Sequence, residues 1–201
     1  MAAGTIIYLN GTSSSGKTSI TSALHEQLDQ SYLHCPIDLF EMMISGRQIE
    51  RGVFPELNAI ESGFTACIAA LASTGNNVIV DDVICEPFGH PEGQTPMTTR
   101  ELLHQRVSAL HVFDILYIKV YCPLPTVEQR EQARGNRTIG LASFQFHRMH
   151  HDSLYDVEVD TSLQSPEACA AQILTTLSQT QAPRAFQRMA NLFNGDPCVE
   201  G

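Results

Sequence analysis

The chain has 201 residues, and its 12 Lys and Arg against 22 Asp and Glu give a formal net charge of −10. A domain averages roughly 150 residues, so this length predicts one domain with a short appendage. We expect no nucleic-acid binding, because that requires clustered cations, and no two Lys or Arg residues are adjacent here. Hydrophobic residues make up 43% of the chain, which excludes a disordered protein.

The sequence also argues against insertion into a membrane and against secretion. Its apolar runs fall short of the roughly 18 residues that span a bilayer, and its start, Met-Ala-Ala-Gly, lacks the cationic region of a signal peptide. The six cysteines are dispersed without a Cys-x-x-Cys pair, which favours reduced, mostly buried thiols over a redox or metal site. We therefore expect a cytoplasmic protein.

Strand and helix patterns alternate along the chain. Short apolar and β-branched runs predict strands at 5–10, 32–37, 77–83, 114–121 and 155–159. Helical patterns occur at 17–28, from 39 to 44, and at 58–73, 98–110, 125–133 and 165–177, whereas Gly and Pro predict loops at 46–55 and 86–97. The helix from 98 opens with a capping box, Thr98-x-x-Glu101. This alternation predicts a three-layer α/β/α fold with a five-stranded parallel sheet.

We expect residues 1–181 to form this domain and residues 182–201 to form a C-terminal tail. The tail carries Phe186, Met189, Leu192 and Phe193 at the spacing of a short amphipathic helix. That pattern suits a helix packed on the domain, a contact between copies in a homo-oligomer, or a frayed end.

A phosphate-binding loop follows the first predicted strand. The segment Gly11-Thr12-Ser13-Ser14-Ser15-Gly16-Lys17-Thr18 matches Gly-x-x-x-x-Gly-Lys-Ser/Thr in full. The two glycines permit close backbone approach, and consecutive N–H groups then form an anion nest at the start of a helix. Lys17 can reach the β- and γ-phosphates of ATP, and the Thr18 hydroxyl can ligate Mg²⁺.

Two aspartates end the strand predicted at 77–83. The ligand crevice of a parallel sheet lies at the carboxyl ends of its strands, so a carboxylate there is placed to hold Mg²⁺ or its waters. Asp81 is the preferred ligand and Asp82 the second choice. The alternative is an aspartate that only caps a loop.

Further motifs resemble the chloramphenicol phosphotransferase family of P-loop kinases over about residues 5–178. They are Ile37-Asp38, Glu128-x-Arg130-x-x-x-Arg134-Gly135-Asn136-Arg137, Gly140-x-Ala142, Gln145, His150 and the run from Tyr155 to Thr161. One departure is Asn136, where the family is expected to carry Asp. The resemblance implies a kinase fold with a five-stranded parallel sheet and an arginine-bearing lid.

The same resemblance implies roles for single residues. It makes Asp38 the general base, which agrees with its place after a predicted strand, although Asp38 could instead be only a helix N-cap. It makes Arg134 and Arg137 the lid arginines that, with Lys17, stabilise the transferring phosphoryl group. Arg130 lies four residues before Arg134 and could be an ordinary surface residue.

Two other clusters have less specific explanations. His147, His150 and His151, with Asp152, have the types of metal ligands, but Mg²⁺ prefers oxygen and adjacent residues of a helix face different ways. We expect His150 to be structural, beneath the lid. Phe40, Met42 and Met43 form either core or the apolar wall of an acceptor pocket.

These observations favour an ATP- and Mg²⁺-dependent kinase that phosphorylates a small-molecule hydroxyl, with chloramphenicol or a related alcohol as a candidate acceptor. One alternative is a nucleotide-binding regulatory switch that has no acceptor. Another is a kinase that acts on a nucleotide or a protein. Asp38 and the lid arginines disfavour the switch, because a switch needs no base for a second substrate.

Overall fold

A computed structural model describes residues 2–135, 138–179 and 183–195. Its centre is a five-stranded sheet in the order β2-β3-β1-β4-β5, in which every neighbouring pair is parallel. The strands are β1 (Ile6–Asn10), β2 (Tyr32–Pro36), β3 (Asn77–Asp82), β4 (Ile115–Tyr121) and β5 (Val157–Asp160). The predicted fold class is confirmed.

Helices connect the strands and cover both faces of the sheet. They are α1 (Lys17–Gln27), α2 (Ile37–Met42), α3 (Gly46–Glu50), α4 (Leu57–Ser73), α5 (Thr99–Leu110), α6 (Leu124–Arg134), α7 (Leu141–Phe146), α8 (Pro166–Ser178) and α9 (Ala185–Phe193). Helices α1 and α8 pack on one face, and α4, α5 and α9 pack on the other. None of the described helices is both long and apolar enough to cross a membrane.

The central strand explains why the loop after it is held firmly. The side chains of β1 alternate between the two cores, with Ile7 and Leu9 on one face and Ile6 and Tyr8 on the other, all 0% exposed. Such two-sided burial is typical of parallel sheets. Strand β1 is therefore clamped between β3 and β4, and its carboxyl end is a fixed point from which the loop departs.

The described part of the C-terminal segment packs on the sheet. Helix α9 buries Phe186, whose ring centroid lies 5.5 Å from that of Tyr8 and 4.9 Å from that of Tyr117. Before the helix, the Arg184 side chain pairs with Asp114 at 2.9 Å. The amphipathic pattern of this segment thus forms a helix whose apolar face completes one of the two cores.

The structure departs from the sequence-based elements in a few places. Short helices α3 and α7 were not predicted, and α2 starts at Ile37 rather than at 39. Met42 and Met43 are 77% and 73% exposed, so they form neither core nor pocket wall, whereas Phe40 packs on Phe64. The capping box of α5 is confirmed, with Thr98 accepting from the Glu101 N–H.

Candidate active site

The loop between β1 and α1 has the backbone that a phosphate nest requires. Gly16 has φ +103° and Ser14 has φ +63°, both in the left-handed region. A Cβ on Gly11 would lie 2.5 Å from the Val120 carbonyl oxygen, so only glycine fits there. The hydroxyl oxygens of Ser13, Ser14 and Ser15 are buried and have no hydrogen-bond partner among the described residues. Unpartnered buried hydroxyls in such a loop fit a bound phosphate.

Lys17 lies across the loop that it terminates. Its ammonium donates to the carbonyls of Gly11 and Thr12 at 2.9 and 3.1 Å, and it lies 3.6 Å from an Asp81 carboxylate oxygen. The side chain is 8% exposed. A buried ammonium ion beside the nest supplies the positive charge that a phosphate chain needs.

Asp81 faces the loop. It accepts a hydrogen bond of 3.0 Å from the Thr18 hydroxyl, and His34 lies 3.8 Å away. Burial raises the pKa of Asp81, but the Lys17 charge, the nearby His34 ring and the hydrogen bond from Thr18 together outweigh burial and hold this pKa below its usual value. An ionised carboxylate next to a hydroxyl is a suitable pair of oxygen ligands for Mg²⁺.

Asp82 faces the opposite side of the sheet. Its carboxylate accepts from the Tyr8 hydroxyl and pairs with Arg106 at 3.2 Å, and both Asp82 and Arg106 are 1% exposed. Successive side chains of a strand point to opposite faces, so only one of the two aspartates can reach the loop. That one is Asp81, the preferred candidate.

Asp38 lies in the first turn of α2, half-buried, after β2 has ended. The residue in the N-cap position is Pro36, and no side chain caps this helix, so the alternative that Asp38 is the N-cap is wrong. Asp38 interacts with other groups of the protein and also lines the cavity described next.

One cavity of about 1050 Å³ contains most of the candidate residues. Its walls include the loop with Lys17 and Thr18, then Asp81, Asp38 and Arg134. Because β2 and β3 lie on one side of β1 while β4 and β5 lie on the other, the cavity has two halves. The half beside β2 and β3 is lined by acidic residues: Asp38, Glu41, Glu61 and Glu86. The half beside β4 and β5 is lined by Arg130, Thr161, Gln164 and Pro166.

The predicted arginines behave differently from one another. Arg134 is the exposed last residue of α6 and lines the cavity. Arg137 lies outside the described residues. Arg130 is more than a surface residue, because its guanidinium donates to the Thr161 hydroxyl and carbonyl at 3.0 and 2.9 Å and reaches the Ser15 carbonyl at 3.5 Å. It therefore joins α6 to the phosphate-binding loop.

Two further residues, neither of which had an expected role, fix the segment around the arginines, although Gln145 was among the motif residues. Glu131 is 2% exposed and accepts from the backbone N–H groups of Gly140 and Ala142, both at 2.8 Å. It thus ties the end of α6 to the start of α7. From α7, the Gln145 side chain accepts from the Ser13 N–H at 2.7 Å, which joins α7 to the loop.

Among the described residues, no three or more His, Cys, Asp and Glu side chains are placed to hold a metal ion together, and this includes the histidine cluster. His150 instead lies 2.5 Å from the Tyr155 hydroxyl, which also accepts from Asn10 at the end of β1. Burial, with help from Lys119, lowers the pKa of His150 to about 4, so its ring is neutral at pH 7. This supports the structural role expected for His150.

The fold and the loop define the class of protein. A parallel α/β sheet whose first strand leads through an anion nest into a helix, with Lys and Thr at its start and Asp on the neighbouring strand, is a P-loop nucleotide-binding fold. A family model for "Chloramphenicol phosphotransferase-like protein" matches residues 4–178. The chain belongs to this family, which confirms the resemblance seen in its motifs.

Comparisons with single proteins agree with this assignment. The chain is 29% identical to a Mycobacterium tuberculosis protein named "Putative O-phosphotransferase", over 96% of this chain and 91% of the relative. It is similar in structure to the APS kinase CysC of M. tuberculosis, solved with AMPPNP and APS, with a TM-score of 0.61, 16% identity, and 89% and 100% coverage of the two chains. For a gluconokinase of Sinorhizobium meliloti the values are 0.58, 16%, 96% and 98%. At 16% identity these solved structures show only that the fold is shared.

Proposed function

We propose that this protein is an ATP-dependent phosphotransferase that transfers the γ-phosphate to a hydroxyl of a small molecule. The observation that carries the proposal is a single cavity in which the phosphate-binding loop, Asp81 and Asp38 meet. A nucleotide switch needs the phosphate-binding loop and Asp81, but it does not need the Asp38 carboxylate in the other half of the cavity, beside β2 and β3. The use of ATP favours a cytoplasmic location.

ATP and Mg²⁺ fit the residues present. The triphosphate would lie in the nest with its unpartnered serine hydroxyls, and Lys17 would contact the β- and γ-phosphates. The base would occupy the half of the cavity lined by Arg130, Thr161, Gln164 and Pro166. Thr18 and Asp81 would hold Mg²⁺ directly or through water. When bound, the metal neutralises charge on the phosphate oxygens.

The acceptor would occupy the half beside β2. Asp38 would accept the proton of the acceptor hydroxyl while the hydroxyl oxygen bonds to the γ-phosphorus. At the same time the bond from that phosphorus to the β–γ bridging oxygen would break, and ADP would leave. Arg134 and Arg137 would meet the charge that spreads over the equatorial oxygens. Glu131 would hold the segment that carries them.

Transfer of labelled phosphate from ATP tests the proposal, with chloramphenicol and other small alcohols as acceptors. Lys17→Ala should lower turnover by about 10²–10³-fold, as loss of a donor to the transferring group does, whereas Lys119→Ala, which removes a lysine paired with Glu158, should not. Asp38→Asn should lower transfer by roughly 10²–10⁴-fold with ATP affinity unchanged.

The matched control for Asp38→Asn is Asp29→Asn, at an exposed position beyond the end of α1. Parental turnover in Asp38→Asn would remove the base from the mechanism. Absence of any phosphorylated acceptor, together with an ATP-dependent change in assembly, would favour the switch.

A further inference from the structure

Glu61 presents a carboxylate to the acceptor half of the cavity. It lies in the first part of α4, lines the cavity, and its side chain is 28% exposed. Helix α4 packs beside α2, which carries Asp38, through a contact between Phe40 and Phe64 whose ring centroids are 5.2 Å apart. The two carboxylates therefore line one pocket from neighbouring helices.

A buried arginine fixes the position of Glu61. Arg106, which is 1% exposed, donates from Nη2 to Glu61 Oε2 and from Nη1 to the Glu61 carbonyl at 2.9 Å. It also bonds to the Thr65 hydroxyl, and its guanidinium carbon lies 5.0 Å from the centroid of the Phe64 ring. Backbone and side chain of Glu61 are thus held by one rigid group.

Arg106 is itself held in place from the core side. The Nε atom of Arg106 donates to Asp82 and to the Tyr8 hydroxyl, both at 3.2 Å, inside the core. A buried ion network of this kind contributes little net stability compared with apolar residues of similar volume. Its clearest effect here is to keep the Glu61 carboxylate at one place on the pocket wall, as a preorganised binding group requires.

The charges of this network do not cancel. Two carboxylates, Asp82 and Glu61, share the single guanidinium of Arg106, so the three groups have a formal net charge of −1 when both carboxylates are ionised. Burial raises the pKa of Glu61, and the charges of Asp82 and Glu41 raise it further, against the lowering effect of Arg106. A cation bound here would relieve this repulsion, whereas an anionic acceptor would increase it.

We infer that Glu61 binds a protonated amine of the acceptor through Oε1, while a hydroxyl of the same molecule faces Asp38. The acceptor class is therefore an amino alcohol. This inference rests on the proposed function for its second substrate, but the binding of the amine can be measured without any transfer.

Matched pairs of acceptors that differ in charge test the inference. One pair is chloramphenicol and its deacylated amine, which share the same diol, and the other is N-acetylglucosamine and glucosamine. Calorimetry with Mg²⁺ and AMPPNP present measures binding, and labelled ATP measures transfer. We expect the wild-type protein to bind the amines about 10–100-fold more tightly than their amides, the worth of one charged hydrogen bond.

Glu61→Gln should abolish this preference. The glutamine oxygen can still accept from Arg106, so the variant should fold and bind ATP. Glu26→Gln, at an exposed position on α1, should keep the preference. If the glutamine variant does not fold, Glu61→Asp, which keeps the charge but shortens the side chain, takes its place and should weaken the preference.

The outcomes separate the inference from the proposed function. Equal or weaker binding of both amines by the wild-type protein, or a preference that survives in Glu61→Gln, overturns the role of Glu61. Tight, Glu61-dependent binding of an amine that is never phosphorylated supports that role and contradicts the kinase. Phosphorylation of the neutral members alone supports the kinase and overturns the amino-alcohol class.

Discussion

Replacing Arg106 by Met tests how the buried network contributes to stability. The side chain of Met is of similar length and apolar, so the change removes the charge and the hydrogen bonds but leaves little empty volume. It strands the carboxylate of Asp82, which is 1% exposed, whereas Glu61 can turn towards the cavity. Breaking a buried pair by removing one partner costs about 3–5 kcal/mol. For a chain of this size that predicts a fall in Tm of roughly 6–20 °C.

A second substitution separates charge from packing. In the double variant Arg106→Met with Asp82→Asn, the stranded charge is gone, so we expect half or more of the lost stability to return. The control is Arg148→Met, which breaks an ion pair with Glu86 at 2.9 Å whose arginine is 42% exposed. An exposed pair of this kind contributes at most about 1 kcal/mol.

Urea denaturation at pH 7, followed by circular dichroism, measures all three variants. A loss below about 1 kcal/mol in Arg106→Met would show that the network is not the tightly coupled unit described above. A double variant no more stable than the single one would show that packing, and not the Asp82 charge, causes the loss.

Three further predictions concern the loop, the segment after α6 and the turn before β5. Thr18→Val removes the hydroxyl that bonds Asp81, so Mg²⁺–ATP should bind about 10–100-fold more weakly by calorimetry, with metal-free ATP unaffected. In Glu131→Gln the side-chain NH₂ group would face one of the two backbone N–H groups that the carboxylate now accepts from, so the free energy of unfolding should fall by about 2–4 kcal/mol. Amide hydrogen exchange at residues 140 and 142 should become faster, and unchanged exchange there would contradict the prediction. The folded-state pKa of His150 is about 4, below the usual 6.5, so between these values only the unfolded chain binds a proton on this ring. The free energy of unfolding is therefore at its full value above pH 6.5 and decreases as the pH falls towards 4. His150→Asn, which tolerates the φ of +74°, should flatten this fall of about 2–3 kcal/mol in urea titrations, whereas the exposed His151→Asn should not.

The strands and the long helices were predictable because their patterns are local. Two-sided burial gives the uninterrupted apolar runs of β1, β3 and β4, and period and capping residues mark α5 and α8. The short helices α3 and α7 have five and six residues, too few to show a helical period. The phosphate-binding loop was predictable for a different reason, since its residue types are dictated by the ligand that such a loop fits.

The residues that hold the site in place were not assigned, although two left a signal. Arg106 lies four residues after Leu102 and four before Leu110, on the buried face of α5, and Glu131 lies four residues after the buried Val127. A charged residue on an apolar helix face indicates a buried partner. What the sequence could not supply is the partner, because Arg106 meets residues of β1, β3 and α4, and Gln145 meets Ser13 from 132 positions away.

The pair Asp81-Asp82 connects the end of one strand to both halves of the proposed site. The sequence analysis preferred Asp81 to Asp82 as a metal ligand, and the pleat of β3 turns the two side chains to opposite faces, with only Asp81 facing the phosphate-binding loop. Asp81 lies beside Lys17 and Thr18, where the nucleotide would bind. Asp82 anchors Arg106, which in turn holds the Glu61 carboxylate at the wall where the acceptor would bind. A shift of β3 along the sheet would therefore move both aspartates together. The distance that we propose between phosphate donor and acceptor thus depends on the pairing of β3 with β1, the most deeply buried pairing in the described sheet.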